Sequence, residues 1–557
     1  MKKKISTASI LLSLLLIVAC VNTNGAVECK PYGTDKMTMS TSHDVFPILT
    51  RLENNPVMKL TLTNNGDKDY QLKKIRFSLK GSTAIEDIDQ ISLFVADPMG
   101  NFSSENQFGT NLNPSEELVF ESEKPVKAEV QSLWLSVRLK DKVNLIHKLN
   151  ISCSGIETSL GNVNVAGSVA AKGLRLGVAL RISKDDGVNT YRIPGITTTK
   201  KGTLIAMYDA RRDLSRDLQG NIDIAINRSF DGGETWQPLQ IVLDMKTWGG
   251  LPEKYNGVSD ANILVDQVTG DIFVAGLWMY GLLDAETGKF IEGLNENSAQ
   301  WLHQWTKKGS QPGFGVKETS QFMIARSQDD GVTWSAPTNL TTQVKREEWW
   351  LFCPAPGHGI TMSDGTLVMP AQGRDANGVP FSNIIYSKDH GITWKTSNPA
   401  YSGVNECMVV ELSDKSLMLN MRDGRNKNNT EINGRVICTT KDLGKTWTEH
   451  STSRKSLIEP TCMASLHKHY YYQNGELKSM LLFVNPNSIS TRNKMTLKVS
   501  YDDGMTWPKD KWILLDQGTG RGYSCITSVD EQTIGILYEG SKSDMIFQKV
   551  DIAELLE

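Results

Sequence analysis

The chain is short of any excess of charge. Its 557 residues hold 60 Lys and Arg against 63 Asp and Glu, a formal net charge of −3. It has no basic cluster of the kind nucleic-acid binding needs, and neither terminus carries a long run of one sign. Cysteine is scarce and badly spaced for metal. The eight are Cys20, Cys29, Cys153, Cys353, Cys407, Cys438, Cys462 and Cys525, with no Cys-x-x-Cys among them, which argues against a zinc site. Beyond the N-terminus no apolar run is long enough to cross a bilayer.

The one long apolar run, Ile10 to Ala19, follows Lys2, Lys3 and Lys4. Basic residues before a short apolar stretch read as a secretory signal, here residues 1–20. Its end, Leu16-Ile-Val-Ala-Cys20, resembles a bacterial lipobox, so Cys20 is expected to carry a lipid anchor. Cleavage after Ala26 is the alternative. Either way the product is expected to be exported, as an outer-membrane lipoprotein or into the periplasm or medium. Export permits disulfides, and Cys29 and Cys153 are candidates to pair.

A short pattern recurs five times: Ser229-Phe-Asp-Gly-Gly-Glu-Thr-Trp236, Ser327-Gln-Asp-Asp-Gly-Val-Thr-Trp334, Ser387-Lys-Asp-His-Gly-Ile-Thr-Trp394, Thr440-Lys-Asp-Leu-Gly-Lys-Thr-Trp447 and Ser500-Tyr-Asp-Asp-Gly-Met-Thr-Trp507. The starts are 98, 60, 53 and 60 residues apart. Such a period signals a radial or stacked fold. Each copy reads as a hairpin turn: the Asp accepts from its own backbone, the Gly permits positive φ, and the Trp covers the turn. One copy per four-stranded blade predicts a β-propeller. The five aspartates, Asp231, Asp329, Asp389, Asp442 and Asp502, are then structural. The long first interval holds a segment from Tyr280 to Lys317 with Trp301, His303 and Trp305, whose aromatics read either as a sugar platform or, the favoured reading, as the packing of the loop itself.

Residues 27–165 lack the pattern. Lys59–Thr63, Ile75–Leu79, Ile91–Val95 and Leu133–Leu139 alternate apolar and polar residues, and Asp97-Pro-Met-Gly100 supplies a turn. That predicts a β-sandwich, either a spacer or a carbohydrate-binding module. The predicted fold is all-β: this sandwich, then a propeller over 174–557.

Tyr191-Arg-Ile-Pro194 precedes the repeats. Together the tetrapeptide and the five boxes resemble the exo-sialidases, above all the bacterial members of glycoside hydrolase family 33. The resemblance covers about 175–557 and implies six blades with an active site on the axis. It further implies that Arg192, Arg422 and Arg492 clasp the carboxylate of a sialic acid. Tyr523, in Gly522-Tyr-Ser524, matches the nucleophile, and Glu406, in Asn405-Glu, its base. Asp217 matches the acid/base, with Asp213 as rival, and Glu539 the carboxylate that braces Arg192. Arg211 resembles an extra pocket arginine; Gln372 and Arg374 are read as rim residues, and His358 as lying near the pocket. Arg228 and Arg326 are read as structural, and Glu411 as facing away from the site.

The chemistry accounts for those residue types. Three guanidiniums can hold a carboxylate in fixed orientation. That carboxylate sits on the anomeric carbon and would repel a carboxylate nucleophile; a neutral tyrosine avoids the repulsion. A phenol of pKa about 10 then needs a base. The implied activity is a retaining exo-α-sialidase acting on glycoproteins, glycolipids and oligosaccharides. A trans-sialidase or intramolecular trans-sialidase on the same scaffold, and a non-enzymatic Asp-box propeller, are the alternatives. Sialylated glycans are the only expected partner. No nucleic acid, cofactor or metal is expected, membrane contact only through Cys20, and the chain is expected to be a monomer.

Overall fold

The computed structural model describes residues 37–557, except 67–68, 122–124, 127–129, 166–167, 219, 249–252, 281–309, 317 and 429–430. The signal segment, Cys20, Cys29 and the Trp301, His303 and Trp305 loop lie outside the described residues. Among the described residues Cys153 is a buried free thiol.

The alternating N-terminal segments all form strands. One sheet runs Met37–Ser42, Asn55–Asn64, Val130–Leu139, Ile88–Val95, Gln107–Asn111. A second holds Glu117–Glu121, Tyr70–Ser78 and Lys148–Thr158. Period-two alternation sends Leu60, Leu62, Phe77, Leu93, Leu133, Leu135 and Ile151 into the shared core. The Asp97 turn forms as its sequence implies: its Oδ1 accepts from Met99 N at 3.0 Å and Asn101 N at 2.7 Å.

Six antiparallel blades follow. Their innermost strands begin at Thr190, Asn256, Phe352, Val404, Ser465 and Ser524, and consecutive blades pack together to close a ring, the third on the fourth through its strands Leu367–Arg374 and Pro380–Ser387. The sixth blade is completed from the other end of the propeller. Its first three strands are Ser524–Ser528, Thr533–Tyr538 and Met545–Asp551, and its outermost strand is Ala171–Arg181. That strand also pairs with Lys148–Thr158 of the sandwich: Lys148 lies opposite Arg175, and Val178 opposite Phe547. One strand therefore belongs to both domains, and the sandwich sheet runs on into the last blade. The boxes explain their own number. Each joins the third and fourth strands of a blade, as Ser229 and Gln240 show for the first. In the sixth blade those two strands are not consecutive in the chain, so no turn joins them.

The boxes share one hydrogen-bond pattern. The Ser or Thr hydroxyl accepts from the glycine N–H at 2.9 Å in all five. In the third, Asp389 accepts from Thr393 N at 2.9 Å and from its hydroxyl at 2.6 Å. The residue before each glycine is also left-handed, with φ of 65° at Asp330 and 57° at His390. The glycine has a second duty. Each packs on the preceding blade: Gly391 on Phe273, Gly504 on Met418, Gly233 on Phe547, where a Cβ would collide or crowd. The boxes thus fasten blade to blade. Trp394 and Trp507 are buried, while Trp236, Trp334 and Trp447 are half-buried.

These bonds hold the Asp389 carboxyl down from an ordinary 3.8 to about 2, the Thr393 hydroxyl and N–H contributing most. A depressed folded-state pKa gives stability that is full above the unfolded value and lost as pH falls through the folded one. Asp389→Ala is expected to lower Tm at pH 7 with kcat and KM unchanged at 25 °C. The gap from wild type should narrow between about pH 4 and pH 2. A gap that widens with acid would contradict this.

Candidate active site

The residues singled out along the sequence meet at one end of the propeller axis. A cavity of about 440 Å3 is lined by Arg192, Asp217, Gln372, Arg374, Glu406, Arg422, Arg492 and Tyr523. Backbone irregularities at the site ends of innermost strands turn these side chains inward. The first blade shifts register between Arg192 and Gly195, and Ile193 sits at φ 61°. The fourth shifts between Val404 and Cys407, which brackets Glu406. Bulges re-aim side chains in this way next to active sites. The Tyr-Arg-Ile-Pro motif is such a kink.

Glu539 is buried at the centre of this arrangement. Its Oε1 accepts from Arg192 Nε at 2.5 Å and Ile193 N at 2.9 Å; its Oε2 accepts from Tyr523 N at 3.0 Å. One carboxylate fixes both the first arginine and the backbone of the tyrosine. Burial opposes both charges, but the pair outweighs it: Arg192 is held above its ordinary value and Glu539 below. Gly522, at φ 89°, sets the turn that delivers Tyr523 to Glu539.

The Tyr523 hydroxyl makes a short hydrogen bond to Glu406 Oε1. Arg422 donates to Glu406 Oε2 at 2.5 Å and to the Tyr523 hydroxyl oxygen at 3.0 Å. The guanidiniums of Arg192 and Arg492 lie 5.5 and 5.6 Å from the Tyr523 ring centroid. Burial and the Glu406 carboxylate push the phenol well above its ordinary value, so it is neutral and hydrogen-bonded to its candidate base. Arg492 is anchored by backbone carbonyls, Arg521 at 2.9 Å and Thr461 at 3.3 Å.

Asp217 lies at the mouth, its side chain 58% exposed. Arg211 Nη1 donates to it at 2.6 Å, and Arg192 Nη1 lies 3.5 Å away. Burial alone would raise its carboxyl, but Arg211 and Arg192 together hold it below 3.8. Asp213 is exposed and is not among the lining residues. Arg211 corrects an expectation. Its resemblance implies a pocket arginine, yet it is fully buried behind the cavity, where it bonds Asp217 and Asp209. Its strand ends there, and two carboxylates hold its guanidinium inside the blade.

Gln372 lines the cavity and donates to Asp260 Oδ2 at 3.2 Å. Sequence reasoning missed Asp260. It sits at φ 53° in a register shift between Ser259 and Asn262, the same device as at Ile193. Burial, with Glu406 and Asp209 nearby, pushes its carboxyl well up. The buried pair Arg435 and Glu459 was also missed. Glu459 accepts from Asp423 N at 2.7 Å, next to Arg422, while Arg435 donates to Glu459 at 2.6 Å and to Cys462 O at 2.9 Å, next to Thr461. This pair supports the second and third arginines from beneath. His358 does not line the cavity; it is buried against His467, 3.2 Å away. Arg326 pairs with Asp271, and Glu411 accepts from Ser363, both away from the cavity. The one acidic and histidine cluster of metal-binding spacing among the described residues, Glu86, Asp87 and His147, lies in the sandwich.

Residues 35–161 match the N-terminal domain of BNR-repeat neuraminidase, and 297–536 match the BNR repeat-like domain. A sialidase of Bacteroides fragilis is 40% identical over 447 residues, 80% of this chain and 77% of that protein. The chain belongs to the sialidase family. A Micromonospora viridifaciens sialidase is 30% identical, over 65% of this chain and 51% of its own length. The solved structure of the Hadza microbial sialidase Hz136 aligns with a TM-score of 0.81 and 35% identity, covering 92% of this chain and 99% of that one. An intramolecular trans-sialidase from Ruminococcus gnavus, at 20% identity and a TM-score of 0.51, shares the fold. In this sialidase-family chain the sandwich and the propeller both have counterparts in relatives.

Gly522 tests the geometry. A Cβ there would lie 3.0 Å from Pro486 and 3.1 Å from the Arg492 side chain, at a φ that L-residues avoid. Gly522→Ala should shift Tyr523 and Arg492 together and cut kcat/KM on the order of 10²-fold with the fold intact by circular dichroism. Near-normal kcat/KM would show that the turn tolerates the methyl.

Proposed function

We propose that the chain is a retaining exo-α-sialidase that removes terminal α-linked sialic acids from glycans through a tyrosyl-sialoside intermediate. The observation that carries this reading is the Tyr523–Glu406 hydrogen bond set among Arg192, Arg422 and Arg492. The three arginines receive the substrate carboxylate, which places the anomeric carbon against the Tyr523 oxygen. As the glycosidic bond lengthens, the phenol proton passes to Glu406 and the oxygen attacks. Asp217 protonates the leaving oxygen, then takes a proton from the water that displaces the sugar from Tyr523, while Glu406 returns its proton to the departing phenol oxygen. The buried carboxylates oppose the positive charge that develops on the ring. Hydrolysis, rather than transfer or an anhydro product, is the reading the sialidase relatives favour, and sialyllactose turnover followed by NMR separates the three outcomes. The expectations of a lipid anchor at Cys20, an exported location and a monomeric state belong to this proposal too. Mass spectrometry of the mature N-terminus and light scattering test them.

Asp217 raises one difficulty, and it resolves in a testable way. A general acid must carry a proton, yet Arg211 and Arg192 favour the anion in the empty site. A substrate carboxylate on Arg192 offsets one of those cations. The Asp217 pKa therefore rises on binding. The basic limb of the kcat profile should lie at higher pH than that of kcat/KM, because the second reports the free enzyme. Coincident limbs would remove Asp217 from the role.

Leaving-group dependence gives an independent check. Asp217→Asn should lose roughly 10²–10⁴-fold on sialyllactose but much less on a nitrophenyl sialoside, whose leaving group needs no proton. Tyr523→Phe should abolish turnover and prevent covalent labelling by a fluorinated sialoside. A Tyr523→Phe enzyme with normal turnover would overturn the assignment.

A further inference from the structure

A second cavity lies where the two domains meet. It measures about 400 Å3, close to the roughly 440 Å3 of the active site, and shares no lining residue with it. Both fall in the range of small-molecule sites. The shared strand Ala171–Arg181 forms its floor, the turn 185–187 and Arg51 one side, and the first Asp box the other. We propose that this cleft binds a neutral hexose unit of a glycan, separately from the active site.

Its floor is polar and buried. Arg181 is 6% and Asn227 3% exposed, yet both line the cleft. Arg181 lies over the rings of Tyr191 and Tyr208, 5.3 and 5.6 Å from their centroids, and its Nε donates to Asn227 Oδ1 at 3.0 Å. Asn227 Nδ2 in turn donates to Gln237 O at 2.7 Å. This network fixes the floor without any group from a ligand.

The walls combine an aromatic ring with carboxylates. Trp236 is half-buried, edge-on to Phe547 at 5.2 Å, and its indole N–H is spent on Gly233 O at 3.0 Å. What it offers the cleft, with Pro238 and Leu239, is apolar surface. Asp186, which also lines the cleft, is 54% exposed and bonded to Arg181 Nη1 at 2.6 Å. The turn that presents it is costly: Lys184 and Asp186 both take left-handed φ, 76° and 49°. A sugar ring has an apolar C–H face and a rim of hydroxyl donors. Trp236 suits the first, and carboxylate acceptors suit the second.

Charge selects against the substrate itself. Four carboxylates, Asp141, Asp185, Asp186 and Glu234, line the cleft against two guanidiniums, Arg51 and Arg181. Arg51 pairs with Asp185 at 2.7 Å. An anionic sialic acid would meet an acidic excess here, whereas a neutral sugar would not. Removing sialic acid uncovers such neutral ends, so the cleft would hold a glycan that has lost its cap while neighbouring chains are trimmed.

The test uses the full chain with its active site filled by an unsaturated sialic acid analogue. N-acetyllactosamine is the probe, read by saturation-transfer NMR and calorimetry. Binding should persist with the analogue present and exceed that of sialyllactose. Trp236→Leu and Asp186→Asn should each weaken it roughly tenfold, with kcat/KM on a nitrophenyl sialoside unchanged. Asn is chosen because it tolerates the left-handed φ. No binding, displacement by the analogue, equal binding of sialyllactose, or indifference to both substitutions would overturn the proposal.

Discussion

The buried carboxylate of Glu539 is the interaction on which the rest depends. It sits at the seam where the last blade meets the first. One oxygen holds the side chain of Arg192 and the backbone of Ile193; the other holds the backbone of Tyr523. A buried charge is costly unless it is paired and fully bonded, and here every bond goes to a part of the site. Closing the ring and assembling the site are therefore one event. An open ring would leave Glu539 unsatisfied and the tyrosine unplaced.

From that point the electrostatics follow. The site is rich in arginine, and each guanidinium has a resting partner: Glu539 for Arg192, Glu406 for Arg422, carbonyls for Arg492. Those partners keep the cations oriented in the empty site, so little reorganisation is left for binding. The same cations depress Asp217, while burial and Glu406 raise Tyr523. In the empty site Asp217 thus favours its anion while Tyr523 is neutral, whereas the proposed reaction asks the first to donate a proton and the second to lose one to Glu406. Substrate charge is the natural agent that moves the first.

Much of this was legible along the chain because it rests on local patterns. A box is a turn whose bonds close within eight residues, so its sequence states its structure. The alternation in the sandwich strands is equally local. Arg192, Glu406, Arg422, Arg492, Tyr523 and Glu539 were reachable because each sits in a short motif. Asp260 has no such flag: its role comes from a left-handed φ in a strand whose neighbours look like ordinary core. Arg435 and Glu459 were invisible for a different reason. They act across 24 residues, through backbone atoms of their neighbours, and backbone contacts leave little trace in residue type. Arg211 was misplaced because its identity suits a pocket, whereas its strand position puts it behind one.

The domain boundary shows the same limit most clearly. The small residues clustered from Gly161 to Gly173 read along the sequence either as a linker or as the last strand of the sandwich. A strand that begins at Ala171 occupies the end of that stretch, and it binds the sandwich with one half and the sixth blade with the other. Lys148 and Arg175 both pair with Glu554 at the C-terminus, which ties the sandwich to the end of the chain. The buried core is likewise continuous, from Leu60 in the sandwich to Phe547 in the last blade. A propeller needs its last blade locked, because an open edge strand exposes unpaired backbone. Other rings can lock with a strand from their own first blade. In this one the locking strand is delivered by the preceding domain, so the sandwich is part of the ring's closure and, through Glu539, part of what holds the site in shape.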